Sequence, residues 1–170
     1  MLKFFPLLAF IFLLGSFSLH AQDRGLTAAS GKLLNAIRCV DRTELITFAK
    51  QYLYTPYRRA GEDPQKGFDC SGLVNFVFKH FNVSLPRSSR QFKALGTALK
   101  PEDFKVGDVL VFYGFRDKSH IGHVGIICEA NGMKSRFIHA SSGKAHSVTI
   151  SKLDSEGYRC RFYKCIDVLQ

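Results

Sequence analysis

The spacing of apolar residues changes once along this chain, and that change limits the folds open to it. Up to Phe81 the spacing is helical. Leu45, Ile46, Ala49, Tyr52 and Leu53 line one face behind Asp41 and Glu44, which are placed as a helix-starting capping box, and Leu73, Val74, Val77, Phe78 and Phe81 line another behind Cys70. From Val109 onward the pattern is that of strands. Val109 to Tyr113, His123 to Cys128, Phe137 to Ala140, Val148 to Ile150 and Arg161 to Val168 are rich in β-branched and aromatic residues, separated by Gly, Asn, Ser and Asp. Helices grouped before strands, without βαβ alternation, predict an α+β fold in which N-terminal helices pack on a C-terminal antiparallel sheet. Among the 170 residues, 16 Phe supply ample aromatic area for a single core.

The segments around these elements are punctuated. Thr55-Pro56-Tyr57 stops the first helix, and Gly61 to Gly67 reads as a loop leading to Cys70. A short helix is expected around Ser88 to Leu95 and a turn region from Pro101 to Asp108. The chain begins with Lys3, an apolar run from Phe4 to Leu14 and a small-residue site at Leu19-His20-Ala21, so residues 1–21 are expected to be a signal peptide cut after Ala21. The expected location is periplasmic or secreted. No later stretch is long and apolar enough to cross a bilayer, and the first cysteine is Cys39, so no lipid or membrane anchor is expected. Residues 22–42 form a polar lead-in with an amphipathic piece at Lys32 to Arg38, and 43–170 are expected to be one domain.

Cys70 stands where a helix begins. Unpaired N–H groups and the positive end of the macrodipole favour a thiolate there. Five cysteines leave at least one without an intramolecular partner. The other four, Cys39, Cys128, Cys160 and Cys165, either form two disulfides in one of three connectivities or stay reduced. Cys160 and Cys165 are five apart in a strand-like run, which points them to opposite faces.

Asn131-Gly132, midway between two strands, is a hairpin signal. A hairpin centred there sets His123 opposite His139, with β-carbons roughly 4.5 to 5.5 Å apart. A nucleophilic thiol needs a base, and the base needs a group that fixes its tautomer. Cys70 is therefore the candidate nucleophile, His123 the base and later general acid, and His139 the orienting residue. The Cys70 N–H and the Tyr57 hydroxyl are candidate oxyanion donors. Taken singly, a cysteine or a strand histidine is more often structural; the combination is far more specific. His120, His123, Cys128 and His139 also offer zinc-ligand chemistry, but their spacing matches no structural zinc pattern and strand alternation separates Cys128 from His123. Neither metal nor cofactor is expected.

These residues resemble the NlpC-type family of bacterial papain-like cell-wall peptidases from about Thr43 to Leu153. The matching pieces are Thr55-Pro56-Tyr57-Arg58, Phe68-Asp69-Cys70-Ser71-Gly72-Leu73-Val74, Ser84-Leu85-Pro86-Arg87-Ser88-Ser89, Gly107-Asp108, His123-Val124-Gly125-Ile126 and Phe137-Ile138-His139-Ala140. The resemblance implies a papain-like fold and hydrolysis of amide bonds in peptidoglycan stem peptides, often between D-γ-glutamate and a diamino acid, through an acyl-enzyme. It assigns nucleophile Cys70, base His123, third residue His139 and oxyanion-side Tyr57, and places Asp69 and Ser71 in substrate binding. Which bond is cut is left open. Residues 114–122 make a longer approach to the base than the shortest relatives need and are expected to shape the substrate groove. The formal charge of +10 suits an anionic wall polymer; the signal peptide and the scattered basic residues argue against nucleic acid. A monomer acting on stem peptides is expected, the alternatives being an inactive wall-binding module and a related amide or acyl transferase.

Overall fold

The structure, a computed structural model, describes residues 40–169. The expected signal peptide, the Lys32 to Arg38 piece and Cys39 lie outside the described residues.

The first helix, α1 (Arg42–Lys50), starts where Asp41 accepts the backbone N–H groups of Thr43 at 2.7 Å and Glu44 at 3.2 Å. It buries Leu45, Ile46 and Ala49. Tyr52 and Leu53, expected on the same helical face, lie just beyond it in a turn. There the Tyr54 N–H bonds to the Val148 carbonyl and the Val148 N–H to the Thr55 carbonyl, so pairing with a distant strand replaces the next helical turn.

The presumed loop before Cys70 holds a small hairpin of β1 (Glu62–Asp63) and β2 (Gly67–Phe68). Gly67 has φ 116°, and a Cβ there would lie 2.6 Å from the Pro56 carbonyl oxygen. The next helix, α2 (Cys70–His80), buries Leu73, Val74, Val77 and Phe78, while Phe81 serves as its C-cap. The expected helix near Ser88 is a 3-10 turn at Ser89–Lys93, and a second such turn spans Pro101–Asp103.

Five strands follow: β3 (Val109–Tyr113), β4 (Ile121–Glu129), β5 (Arg136–Ala140), β6 (Val148–Lys152) and, after a short helix α3 (Glu156–Arg159), β7 (Phe162–Ile166). They form one antiparallel sheet in the order β6-β5-β4-β3-β7. Arg161 and Val168 fall outside β7, which is shorter than its apolar pattern implies because α3 and its cap occupy the chain up to Cys160. Alternation divides the sheet residues. Val109, Val111, Val124, Ile126, Ile138 and Ala140 pack against α1 and α2, while Leu110, Phe112, Ile127 and Phe137 pack with Phe104, Leu153 and Cys165 in a second cluster.

A partly buried ion-paired bridge ties α1 to the sheet. Arg42 reaches Asp108 at 2.7 Å and also contacts Asp167, and Asp108 further accepts the Lys105 N–H. Cys70, Cys128 and Cys165 are buried free thiols and Cys160 is an exposed one. Among the described residues no helix is long and apolar enough to cross a membrane.

Candidate active site

Cys70 is the first residue of α2, 8% exposed. Asp69 sets the helix start by accepting the Gly72 N–H at 2.6 Å. Gly72 is required there, because a Cβ would lie 2.0 Å from the Gly61 carbonyl oxygen. The helix mouth abuts β4, and the sulfur is within reach of the Val124 N–H as well as those of Ser71 and Cys70 itself. Val124 is the neighbour of His123.

His123 and His139 do meet, though not as directly opposed residues. β4 pairs Ile126 with Ile138, and a bulge lies nearer the turn, between Ile127 and Glu129. Following that register, His139 lies alongside Gly125, where a Cβ would come within 3.0 Å of the His139 Cβ. The hairpin thus runs two residues out of the expected register. Side chains alternate with period two, so a shift of two keeps both rings on one face. His123 Nε2 and His139 Nδ1 are 3.0 Å apart, with the rings edge-to-face. His139 is fully buried, stacks on Phe137, and places Nε2 at 2.9 Å from Ser151 Oγ and 3.3 Å from the Tyr158 hydroxyl.

These contacts define a proton arrangement. For His123 to act as a base at Nδ1, its proton sits on Nε2 and is donated to His139 Nδ1. His139 then carries its own proton on Nε2 and donates it to Ser151 Oγ. Burial supports this by holding His139 neutral, lowering its pKa to about 4, and it depresses His123 well below the usual imidazole range, where coupling to His139, which disfavours a charge on both rings at once, and the Arg161 charge add to the effect.

The expected thiolate is not favoured in this state. Burial pushes the Cys70 thiol up to about 11, and the adjacent Asp69 carboxylate adds to the rise against the lowering effect of the Val124 N–H. Desolvation outweighs the helix end, so thiol and imidazole are both neutral near pH 7.

Tyr57 stands beside the nucleophile. Burial raises its hydroxyl pKa, with the proximity of Cys70 and Asp69 adding, while a hydrogen bond with the Ser142 side chain opposes. Asp69 and Ser71 are engaged within the protein. The Arg87 guanidinium grips both oxygens of Asp69 at 3.1 Å each, lies 3.3 Å from Ser71 Oγ, and bonds Glu62 at 2.8 Å. Arg87 stands within a motif quoted above, but nothing in that motif's spacing tells that it closes on Asp69. Ser151 and Tyr158 were equally hidden from sequence reading, since each sits in an ordinary polar stretch that only folding brings to His139.

A family model described as the NlpC/P60 family matches residues 54–166. The chain is 40% identical over 114 residues to the gamma-DL-glutamyl hydrolase of Bacillus subtilis (strain 168), covering 66% of this chain and 26% of that protein. It is 34% identical over 142 residues to the murein DD-endopeptidase MepH of Escherichia coli (strain K12), covering 80% of this chain and 50% of the other. A crystal structure of an NlpC/P60 family protein from Bacillus cereus ATCC 10987 superposes with a TM-score of 0.68 at 28% identity, over 79% of this chain and 42% of that one. The chain thus spans half or less of the length of each of these relatives.

Proposed function

The chain belongs to the NlpC/P60 family of peptidoglycan hydrolases and endopeptidases, and we propose that it is a cysteine peptidase that cleaves an amide bond in peptidoglycan stem peptides, in the periplasm or outside the cell. The observation that carries this reading is the 3.0 Å contact of His123 with His139, made from β4, the strand against which the helix bearing Cys70 packs. A bond on the carbonyl side of D-γ-glutamate, before a diamino acid, is the substrate position that the resemblance favours.

The reaction follows from the proton arrangement. Cys70 Sγ attacks the scissile carbonyl carbon as its proton passes to His123 Nδ1, and the developing oxyanion is met by the Cys70 N–H and the Tyr57 hydroxyl. The imidazolium, still held by His139, gives that proton to the leaving nitrogen. The C–N bond breaks to leave a thioester, and water activated by His123 then releases the acid and restores the thiol.

Cys70→Ser and His123→Ala are each expected to abolish release of stem-peptide fragments from purified peptidoglycan, with circular dichroism unchanged. Full activity in either variant would refute the mechanism. Wall binding without release by the wild-type protein would mark a binding module, and amide products would mark a transferase.

A further inference from the structure

A basin of about 980 Å³ opens beside His123, large enough for a ligand of dipeptide size. Its walls include residues of the 114–122 segment, the turn after β5 and the α3 region. Three cationic side chains line it, those of Arg116, Lys144 and Arg161, and Asp117 is the one carboxylate. Asp117 is already held by His120 at 2.8 Å.

Arg161 is the unusual member. It is 9% exposed, donates Nε–H to the Gly157 carbonyl at 2.7 Å and Nη1–H to the Tyr113 carbonyl at 3.4 Å, and lies against the rings of Tyr158 and Phe115. Among the described residues it forms no ion pair. A buried guanidinium held by carbonyls and rings alone retains much of its desolvation cost, and a ligand carboxylate would offset it.

The position of the basin identifies which part of a substrate would enter. The imidazole must reach the leaving nitrogen, so the half of the substrate beyond that nitrogen runs past His123. Ser142 lines the basin and lies close enough to Tyr57 to influence its hydroxyl, which places the basin next to the oxyanion side of the site. We propose that this basin is a carboxylate-binding subsite for the leaving half of the substrate, with Arg161 as its anchor and Lys144 and Arg116 at its sides. The carboxylate is the side-chain one of a diaminodicarboxylic acid or that of the residue C-terminal to it.

The inference rests on the stem-peptide reading and adds a consequence to it. The Arg161 charge opposes protonation of both histidines. A bound carboxylate neutralises that charge and makes His123 a stronger base only when substrate is in place.

The test uses the Cys70→Ala protein and a dipeptide of a diaminodicarboxylic acid, one carboxyl of which is in the peptide bond, followed by alanine, in four forms: both remaining carboxylates free, either one amidated, or both amidated. Calorimetric titration is expected to show roughly tenfold or greater weakening when the recognised carboxylate is capped, the size of one charge-assisted contact. The singly amidated forms tell which carboxylate it is. Arg161→Gln in the same background should bind all four forms alike, and Arg161→Lys should keep part of the preference. Equal affinity for free and doubly capped dipeptides, or no binding of either, overturns the subsite. The wild-type digest of peptidoglycan is read separately, so hydrolysis without carboxylate preference sinks the subsite alone, and carboxylate preference without hydrolysis sinks the peptidase reading alone.

Discussion

The catalytic proposal depends on one histidine staying neutral. His139 can accept the His123 proton only while its Nδ1 is bare, and Ser151 Oγ at 2.9 Å from Nε2 supplies the acceptor which that tautomer requires. Ser151→Ala is expected to lower kcat severalfold with little change in KM, and Ser151→Thr should restore most of it; an equal loss in both variants would point to packing instead. The depressed His123 and raised Cys70 also predict a broad pH–rate plateau. The base stays unprotonated through mildly acidic pH, so kcat/KM should hold below pH 6.5, whereas a rate that climbs toward ordinary thiol ionisation near about 8.5 would contradict the pairing. At this scale the sequence singled out Cys70, His123 and His139 as candidates, because residue type and spacing were enough to suggest that the two histidines meet, and they do. Ser151, Tyr158 and Arg161 were invisible, because what distinguishes them is which buried group they touch.

The elements were more legible than their ends. Apolar periodicity located both long helices, each of which buries one face, and runs of β-branched and aromatic residues between turn residues located all five sheet strands. It missed β1, β2 and α3, each too short to show a period. It also overextended α1, where pairing with Val148 takes over. The start of α2 invites an element-scale test. Asp69→Ala removes the cap of the Gly72 N–H and the partner of Arg87, and should lower stability by about 1–2 kcal/mol, read from the shift in urea midpoint. Asp69→Asn keeps an acceptor at the cap and should recover most of the loss. The partly exposed Arg87–Asp69 pair contributes less than the cap, so Arg87→Ala should cost less than Asp69→Ala.

For the molecule as a whole, the buried His139 makes the fold acid-sensitive. The His139 pKa is about 4 when folded and about 6.5 when unfolded, so between those values the unfolded chain binds the extra proton. Stability is complete above about pH 6.5 and falls as pH drops toward 4, by about 3 kcal/mol from this residue, with His123 acting in the same direction. Urea midpoints at pH 7, 5.5 and 4 measure it, and His139→Asn should flatten the decline. The α+β architecture could be read in advance because helices and strands occupy separate stretches of chain, but the sheet order could not, since β7 pairs with β3 across the intervening hairpins. That last pairing has a consequence for how the protein is made. Nascent chain emerges from the ribosome with Cys70 well ahead of β7, the edge strand that pairs with β3, and of the Arg161 guanidinium just before it. A molecule still being synthesised therefore presents Cys70 before β3 has gained its outer neighbour and before Arg161 is in place.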